Sequence, residues 1–351
     1  MGRKLCIGID IGTSAVKMCQ LAGSKKGYTL ERFGVVPLPS ETIVDGAIMN
    51  SARVVEAIQE LVTAQRVKSK QTAIAVSGHA VIIKKIPLPQ MTPDELSDQI
   101  QWEAEQFIPF DIADVHLDVQ IVNKESAQKG QMDVVLVAAK KDYVNEYTSV
   151  VIEAGLEPLV CDVDAFAVQN MYEANYGIDA EHTVALVNVG AAKTNINIIA
   201  RGISSFTRDL TIGGNSFTEE IQKQLSVSRE EAEALKMGGE PGKTADAVVP
   251  AEVERALRQV AETVTTEIQR SIDFYAATSA DPAPSQIYVS GGTARLQPLI
   301  RALEARMSVK VAATDPFRQI QVADRDRDFV RTLGPAAGVA VGLALRHPGD
   351  A

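Results

Sequence analysis

The chain has 351 residues, of which 46% are hydrophobic and 23% are charged, and its formal net charge is −10. This length exceeds what one core usually supports, so we expect two lobes or more, and the acidic balance argues against sequence-independent binding of DNA or RNA. The three cysteines, Cys6, Cys19 and Cys161, have no CxxC spacing, which argues against zinc sites and disulfides and favours small buried side chains.

The N-terminal region contains the first motif of interest. The opening MGRKLCIGIDIG has no apolar stretch long enough for a signal peptide. Ile9–Lys17 predicts a strand, a tight turn of small residues and a second strand. Glycine lets such a turn approach a ligand closely, and its successive N–H groups suit an anion such as phosphate. A single hairpin of this kind is common and does not by itself establish a phosphate site.

Residues 86–156 are predicted to form a small α/β subdomain. The prolines of Ile86–Pro89 predict an extended segment, and Thr92–Glu95 predicts a capping box with proline at the first helical position. Val115–Ile121 alternates as a strand, with Val134–Ala138 as its expected partner across a polar turn. The helix between them places four apolar residues on one face: Leu96, Ile100, Ala104 and Phe107.

The strand–turn–strand pattern occurs a second time at Val187–Thr194, and its return strand alternates over Asn195–Ile198. Two such turns facing each other would hold the β- and γ-phosphates of a nucleotide from both sides. Asp10 and Asn188 each come just before a turn, where a carboxylate or amide can position water around Mg²⁺.

Three segments follow the second hairpin. Ala232–Lys236 predicts helix, residues 236–250 predict a Gly-rich polar loop, and Ala251–Tyr275 predicts a long amphipathic helix packed on a sheet rather than a coiled coil. The GEPGKT of the loop resembles part of a Walker A motif, but its glycine spacing is wrong and no strand leads into it.

The C-terminal part of the chain contains a third motif. Ile287–Ala294 predicts a strand, a Gly-Gly turn and then a helix, which together suit close approach of a nucleotide. The apolar positions of that helix are Leu296, Leu299, Ile300 and Leu303. The longest apolar run, Ala336–Leu345, falls well short of the roughly 20 residues that span a bilayer, and its small residues predict a buried, closely packed helix.

The segments IGIDIGTSAVK, ALVNVGAAKTNI and IYVSGGTARL resemble the two phosphate motifs and the adenosine motif of the actin, Hsp70 and sugar-kinase superfamily. Asp162–Ala167 and Gly334–Gly338 resemble its two connecting helices, and the five motifs occur in the family's order. The resemblance implies an α/β, actin-like two-lobed ATPase fold of duplicated ribonuclease-H-like domains, with ATP and Mg²⁺ as cofactors.

The resemblance also implies a division of the chain into four parts. These are a first lobe core (1–85, 157–180 and 335–351), an FtsA-like inserted subdomain (86–156), a second lobe core (181–215 and 280–334) and a small second-lobe subdomain (216–279).

Roles follow from the resemblance by matched position. Asp10 would organise the water shell of Mg²⁺, and Lys17 would reach phosphate. The remaining nucleotide-binding residues would be Gly12, Thr13, Ser14, Gly190, Ala191, Thr194, Gly213, Gly214, Glu233, Lys236, Gly291, Gly292, Thr293 and Ala294. An exposed ion pair on a helix is the alternative for Glu233 and Lys236.

Two of the three implied catalytic residues depart from the family pattern. Asn188 stands where Asp is usual and supplies no charge, and Asp164 occupies the water-orienting position, where the longer Glu or Gln is common. Asp162 is a second candidate for that position, and Asp10 completes the set. We therefore expect slow or absent ATP hydrolysis.

The inserted segment, IPLP...ELSDQIQWEAEQFIPFDIADVHLDVQIV, resembles the cytoplasmic, actin-like PilM family of type IV pilus assembly more closely than the cell-division actin FtsA. FtsA adds a linker and an amphipathic membrane helix, whereas this sequence stops soon after Leu345. The resemblance implies a cytoplasmic, nucleotide-gated scaffold that reaches the inner membrane only through partners. Its partners would be the N-terminal cytoplasmic tail of PilN and other assembly proteins, including the motor.

The family places this peptide between the first lobe and the inserted subdomain. We predict Ile86, Phe107, Ile108 and Phe110 near that groove, with closure of the subdomain core as the alternative for Phe107 and Ile108. Trp102 is a partner contact by residue type or a core residue by its helical position.

Other functional classes fit less well. An FtsA-like division protein or a filament-forming bacterial actin is the main alternative. A sugar kinase would need an acidic base facing a polar pocket and usually a longer chain. An Hsp70-like chaperone would need a downstream peptide-binding domain, for which no residues are left.

Overall fold

The computed structural model describes residues 5–126, 129–178, 180–238 and 251–350. Most of the loop predicted at 236–250 lies outside these residues. The strands are β1 Ile7–Ile11, β2 Ala15–Ser24, β3 Gly27–Pro37, β4 Ile43–Val44, β5 Ala47–Ile48, β6 Gln71–Val76, β7 Val81–Pro89, β8 Val115–Asn123, β9 Gln131–Lys140, β10 Glu157–Val163, β11 Val184–Val189, β12 Thr194–Ala200, β13 Ile203–Leu210, β14 Gln286–Ser290 and β15 Lys310–Ala313. The helices are α1 Ser51–Ala64, α2 Pro93–Ala104, α3 Lys141–Glu153, α4 Asp164–Tyr176, α5 Gly214–Leu225, α6 Arg229–Lys236, α7 Ala251–Thr278, α8 Gln297–Met307, α9 Arg327–Leu333 and α10 Gly338–Ala344.

Two five-stranded sheets repeat one arrangement. The first has the order β10-β6-β1-β2-β3 and the second has the order β13-β12-β11-β14-β15. In each, a hairpin (β1–β2 or β11–β12) is antiparallel, and its first strand pairs in parallel with a strand that comes later in the chain. The strand–turn–strand pattern that occurs twice in the sequence therefore corresponds to a duplication of the fold, as in actin-like proteins.

Helices α4 and α10 form a core that both sheets share. Buried residues of both helices pack in one cluster with residues of the first sheet, such as Cys19, and of the second, such as Leu186. Glycine permits the closest approach: a Cβ on Gly342 would lie 1.7 Å from the Ala167 carbonyl oxygen. The apolar run at 336–345 is thus a buried helix, as its small residues predicted.

The outer helices cover the remaining sheet faces. Helices α1 and α3 pack on the first sheet, while α5, α7 and α8 pack on the second. The long helix is confirmed, and its apolar stripe faces the sheet because that burial removes the stripe from water. The third motif differs in detail: a 3₁₀ turn, Gly292–Arg295, begins at the second glycine of the pair, and Leu296 then precedes α8.

The inserted subdomain is a three-stranded sheet, β7-β9-β8, with α2 across one face. Thr92 and Glu95 form the predicted capping box, and β8 pairs with β9 as predicted. Helix α2 ends at Ala104, so Phe107 lies in the following turn rather than on the helix. Nowhere in the described residues is a helix both long and apolar enough to cross a membrane.

Candidate functional site

The first phosphate turn joins β1 to β2. Asp10 and Lys17 face each other across the hairpin, and the Lys17 ammonium lies 2.8 Å from the Asp10 carboxylate. A Cβ on Gly12 would lie 3.2 Å from the Ala15 carbonyl oxygen and 3.3 Å from Lys17 Nζ, so the turn is tightly packed at this position. The turn thus brings a carboxylate and an ammonium group beside exposed backbone.

The second phosphate turn joins β11 to β12 and is backed by α5. The N–H groups of Gly214 and Asn215 donate to the carbonyls of Gly190 and Ala191, at 2.8 and 2.7 Å. The N-terminus of α5 therefore lies against the turn, and its partial positive charge favours an anion there. A Cβ on Gly213 would lie 2.7 Å from the Gly190 carbonyl oxygen, which explains the glycine pair.

The adenosine motif packs directly against this second turn. Gly291 has φ of +91°, and a Cβ there would lie 2.3 Å from the Val189 carbonyl oxygen. Thr293 Oγ1 donates to the Gly190 carbonyl oxygen at 3.0 Å. Glycine is thus required because the strand end and the phosphate turn are in contact.

Glu233 and Lys236 form a partly buried network. Lys236 Nζ donates to Glu233 Oε1 at 2.7 Å and to Thr218 Oγ1 at 2.9 Å. Burial lowers the pKa of Lys236, and its hydrogen bond to Glu233 opposes that shift. Lys236 is 10% exposed and Glu233 is 41% exposed, so the two form an ion pair on the helix that is buried on the Lys236 side, and both side chains line the cleft.

These elements enclose a cleft of about 850 Å³ between the two sheets. The predicted residues that line it are Asp10, Gly12, Thr13, Ser14, Lys17, Asp164, Asn188, Gly190, Ala191, Gly214, Glu233, Lys236, Gly291, Gly292 and Thr293. Three predicted residues lie behind its wall instead: Thr194, Gly213 and Ala294. Thr194 is fully buried and its hydroxyl donates to the Ile212 carbonyl oxygen at 2.7 Å, so this hydroxyl links β12 to the segment before α5 and does not face the cleft.

Asp164 lies in the cleft at the start of α4. Ser77 Oγ donates to its carboxylate, and Lys193 Nζ lies 3.1 Å from the same hydroxyl. Burial raises the pKa of Asp164 to about 6, with Lys193 lowering it and Asp10 raising it. A carboxylate whose pKa is near neutrality suits a group that exchanges a proton with water.

Asn188 has a fixed amide. Its Nδ2 donates to Asn195 Oδ1 at 3.0 Å, and its Oδ1 accepts from Ser290 Oγ at 3.3 Å. Asn195 in turn donates to Asp209 at 2.7 Å. This chain of polar groups presents Asn188 to the cleft in one orientation.

The cleft contains residues that the sequence interpretation missed. Lys193, Ser77, Arg229 and Arg295 also line it, which adds three cations to Lys17 and Lys236 in a lining that contains carboxylates as well. Ser77 follows the apolar strand β6 at its carboxyl end, a position that could have signalled it. The donors and volume fit a nucleotide polyphosphate. The described parts of the chain contain no cluster of three or more His, Cys, Asp or Glu side chains that could hold a metal.

A second concave site lies between the inserted subdomain and the first lobe, with the start of β13 in the second lobe also lining it, and has a volume of about 670 Å³. Strand β8 forms one side, β9 contributes Val135 and Val137, and the opposite side comes from β10 and α4. Two carboxylates, Asp118 and Asp162, line it, and Arg346 lies 3.4 Å from Asp162. Cys161 also lines it and is exposed, so the expectation of buried cysteines is wrong for this one and right for Cys6 and Cys19.

The residues predicted for a peptide groove do not line this site. Ile86 and Ile108 are buried in the subdomain core, which corrects the prediction for both, because α2 and its turn cover them. Phe107 and Phe110 are partly buried against the same core. Trp102 is 76% exposed on α2, so its core alternative is wrong.

Similar proteins agree with this architecture. The family described as type IV pilus assembly protein PilM matches residues 8–348. A chain of the solved PilM-PilN type IV pilus biogenesis complex is 27% identical and has a TM-score of 0.85, covering 98% of this chain and 99% of that one. EutJ of Carboxydothermus hydrogenoformans is 17% identical with a TM-score of 0.58, covers 98% of this chain and 90% of its own, and shows the fold alone.

Curated cell-division proteins FtsA are more distant relatives. That of Pseudomonas aeruginosa is 24% identical over an alignment 371 positions long, gaps included, which covers 94% of this chain and 88% of the relative. That of Bacillus subtilis is 24% identical over 66% of this chain, and the match spans only 57% of the relative's length. Since the family match extends over nearly the whole chain, the protein belongs to the PilM family of actin-like type IV pilus assembly proteins.

Proposed function

We propose that this protein is an ATP-binding scaffold of type IV pilus assembly that holds the N-terminal cytoplasmic tail of PilN and links the inner-membrane complex to the motor. The groove between the inserted subdomain and the first lobe is the observation that carries the proposal. The similarity to a chain of a PilM-PilN complex supports the choice of partner. The protein would lie in the cytoplasm, at the inner membrane through that partner alone.

The groove suits an extended peptide. Strand β8 is an edge strand of its sheet, so its outer backbone groups can pair with an added strand. Val135 and Val137 add apolar surface to the floor of the groove beside β8. Asp118 adds negative charge, which favours a peptide with a basic group, whereas Asp162 is paired with Arg346.

The cleft would hold Mg-ATP between the two phosphate turns. The turn amides, the N-terminus of α5 and the ammonium groups would bind the phosphates, while Glu233 and Lys236 would contact ribose and base. Asp164 would orient water near the terminal phosphate. Since Asn188 supplies no charge for the metal, we expect at most slow hydrolysis.

The first experiment is a calorimetric titration of a PilN N-terminal peptide onto the protein, with and without Mg-ATP. We expect saturable binding that changes with nucleotide. Gln120→Trp places a large ring in the groove and should weaken binding by about tenfold, whereas Gln99→Trp on the exposed side of α2 should not.

A footprint locates the peptide independently. Cys6 and Cys19 are fully buried, so a thiol reagent should modify Cys161 alone. The reaction should be slow because the surroundings of Cys161 raise its pKa to about 12, and bound peptide should slow it further. Absence of peptide binding in every nucleotide state would contradict the scaffold proposal. It would favour a division-type or filament-forming actin, which sedimentation with ATP would reveal.

A further inference from the structure

We infer that Lys193 is a phosphate-binding residue of the cleft and that it transmits nucleotide occupancy to the inserted subdomain through the connection Ser77–Ala80. This connection runs from β6 in the first lobe directly into β7 of the subdomain. The inference deepens the proposed function, on which its peptide-binding consequence rests.

The second lobe holds this connection from across the cleft at two points. Lys193 Nζ donates to the Ser77 carbonyl oxygen at 2.9 Å and to its hydroxyl at 3.1 Å. The Asp209 carboxylate accepts from the N–H of Gly78. Gly78 has φ of +98°, a conformation that favours glycine. A Cβ at this position would lie 3.1 Å from Lys193 Nζ, so the backbone approaches the ammonium group closely.

The same connection determines how the subdomain is attached. Ala80 is 3% exposed, and its carbonyl oxygen accepts from the N–H of Lys140, where β9 returns to the first lobe. Both links between the subdomain and the first lobe therefore meet beside Ser77. A displacement of this connection changes the angle of the subdomain, and hence the width of the groove that it forms with the first lobe.

A polyphosphate would compete for Lys193. Lys193 belongs to the second phosphate turn, but its ammonium group donates across the cleft to the carbonyl and hydroxyl oxygens of Ser77, which are neutral. The carboxylate of Asp164 is the anion near it. A phosphate between the two turns is a more highly charged acceptor, and charge-assisted bonds to it are stronger than those to neutral groups. The occupied cleft would therefore withdraw Lys193 from Ser77 and leave Asp209 as the remaining contact with Gly78.

Two measurements test this without the peptide. In the wild-type protein, Mg-ATP should change hydrogen exchange of the segment containing residues 77–81, whereas adenosine should not. Lys193→Gln should bind ATP about tenfold more weakly and lose this response, because the amide lacks the charge that phosphate attracts. Lys193→Arg keeps the charge and should bind ATP within about threefold of the wild type.

Lys223→Gln removes an exposed lysine from α5 of the same lobe and is the matched control. Unchanged exchange at residues 77–81 on addition of ATP to the wild-type protein would overturn the coupling. Wild-type ATP affinity in Lys193→Gln would overturn the phosphate contact. Neither result depends on whether PilN is the partner. If peptide binding also occurs, the difference in peptide affinity between ATP-bound and nucleotide-free protein should be lost in Lys193→Gln and kept in Lys223→Gln.

Discussion

Asp164 is a cleft residue whose surroundings change its chemistry. Its carboxylate accepts from Ser77 within the cleft, and burial raises its pKa from 3.8 to about 6. The folded protein therefore binds this proton more tightly than the unfolded chain does. Ionisation of Asp164 therefore lowers the free energy of unfolding progressively as pH rises from about 4 to about 6. Above that range the loss of stability reaches its full size and no longer changes with pH.

Asp164→Asn should remove this cost. The variant should gain stability relative to the wild type as pH rises, by up to about 3 kcal/mol above pH 6, from the pKa difference at 1.36 kcal/mol per unit. Urea unfolding at about pH 4.5 and about pH 7.5 measures the gain. Asp98→Asn, on the exposed surface of α2, controls for the loss of one negative charge. An equal effect of Asp164→Asn at both pH values would contradict the prediction.

At the level of elements, the contact between α4 and α10 sets how closely the two sheets approach. Gly342 lies where α10 crosses α4, and Ala340 presents its carbonyl oxygen to Gly8 of the first sheet. A Cβ on Gly8 would lie 2.2 Å from that oxygen. Close packing of this kind tolerates no added methyl group without movement of a helix.

Gly342→Ala should therefore destabilise the protein by about 3 kcal/mol, because α10 must move away from Ala167 and the shared core loses contacts. Chemical denaturation measures the loss. Gly23→Ala in β2 is the control, since its added Cβ would meet its nearest neighbour, Leu5 Cδ1, at an ordinary 3.6 Å. Equal stability of the two variants would show that α10 adjusts without cost.

At the level of the whole molecule, the cleft lies between two lobes that share one core. A ligand that contacts both phosphate turns stabilises the assembled arrangement and cannot bind the unfolded chain. At a concentration about 100 times its dissociation constant, such a ligand adds about 2.7 kcal/mol.

Mg-ATP should therefore raise the thermal midpoint of the protein, and ADP should do the same at a higher concentration. Adenosine, which lacks the phosphates that the turns would bind, should have a smaller effect at equal concentration. Thermal unfolding followed by circular dichroism measures the shift. An unchanged midpoint at millimolar Mg-ATP would argue against nucleotide binding in the cleft.

The parts of the structure that depend on local chemistry can be predicted from the residues alone. The two hairpins follow from glycine turns between β-branched strands, and the capping box of α2 from Thr92 and Glu95. The long amphipathic helix follows from its apolar period. The order of the motifs predicted the actin-like fold, which the related structures confirm. Most of the predicted nucleotide residues line one cleft because they belong to those same motifs.

Contacts between elements that are distant in the chain depend on the packing of the whole fold. Ser77 and Lys193 are 116 residues apart in sequence, and no local pattern predicts that their side chains meet. Similarly, Ile86 and Ile108 are as apolar as groove residues, but α2 buries them, and the groove forms on the other face of the sheet. Apolar residues indicate burial without specifying the surface that buries them, because the hydrophobic effect has no direction. That choice depends on how the sheets and helices pack.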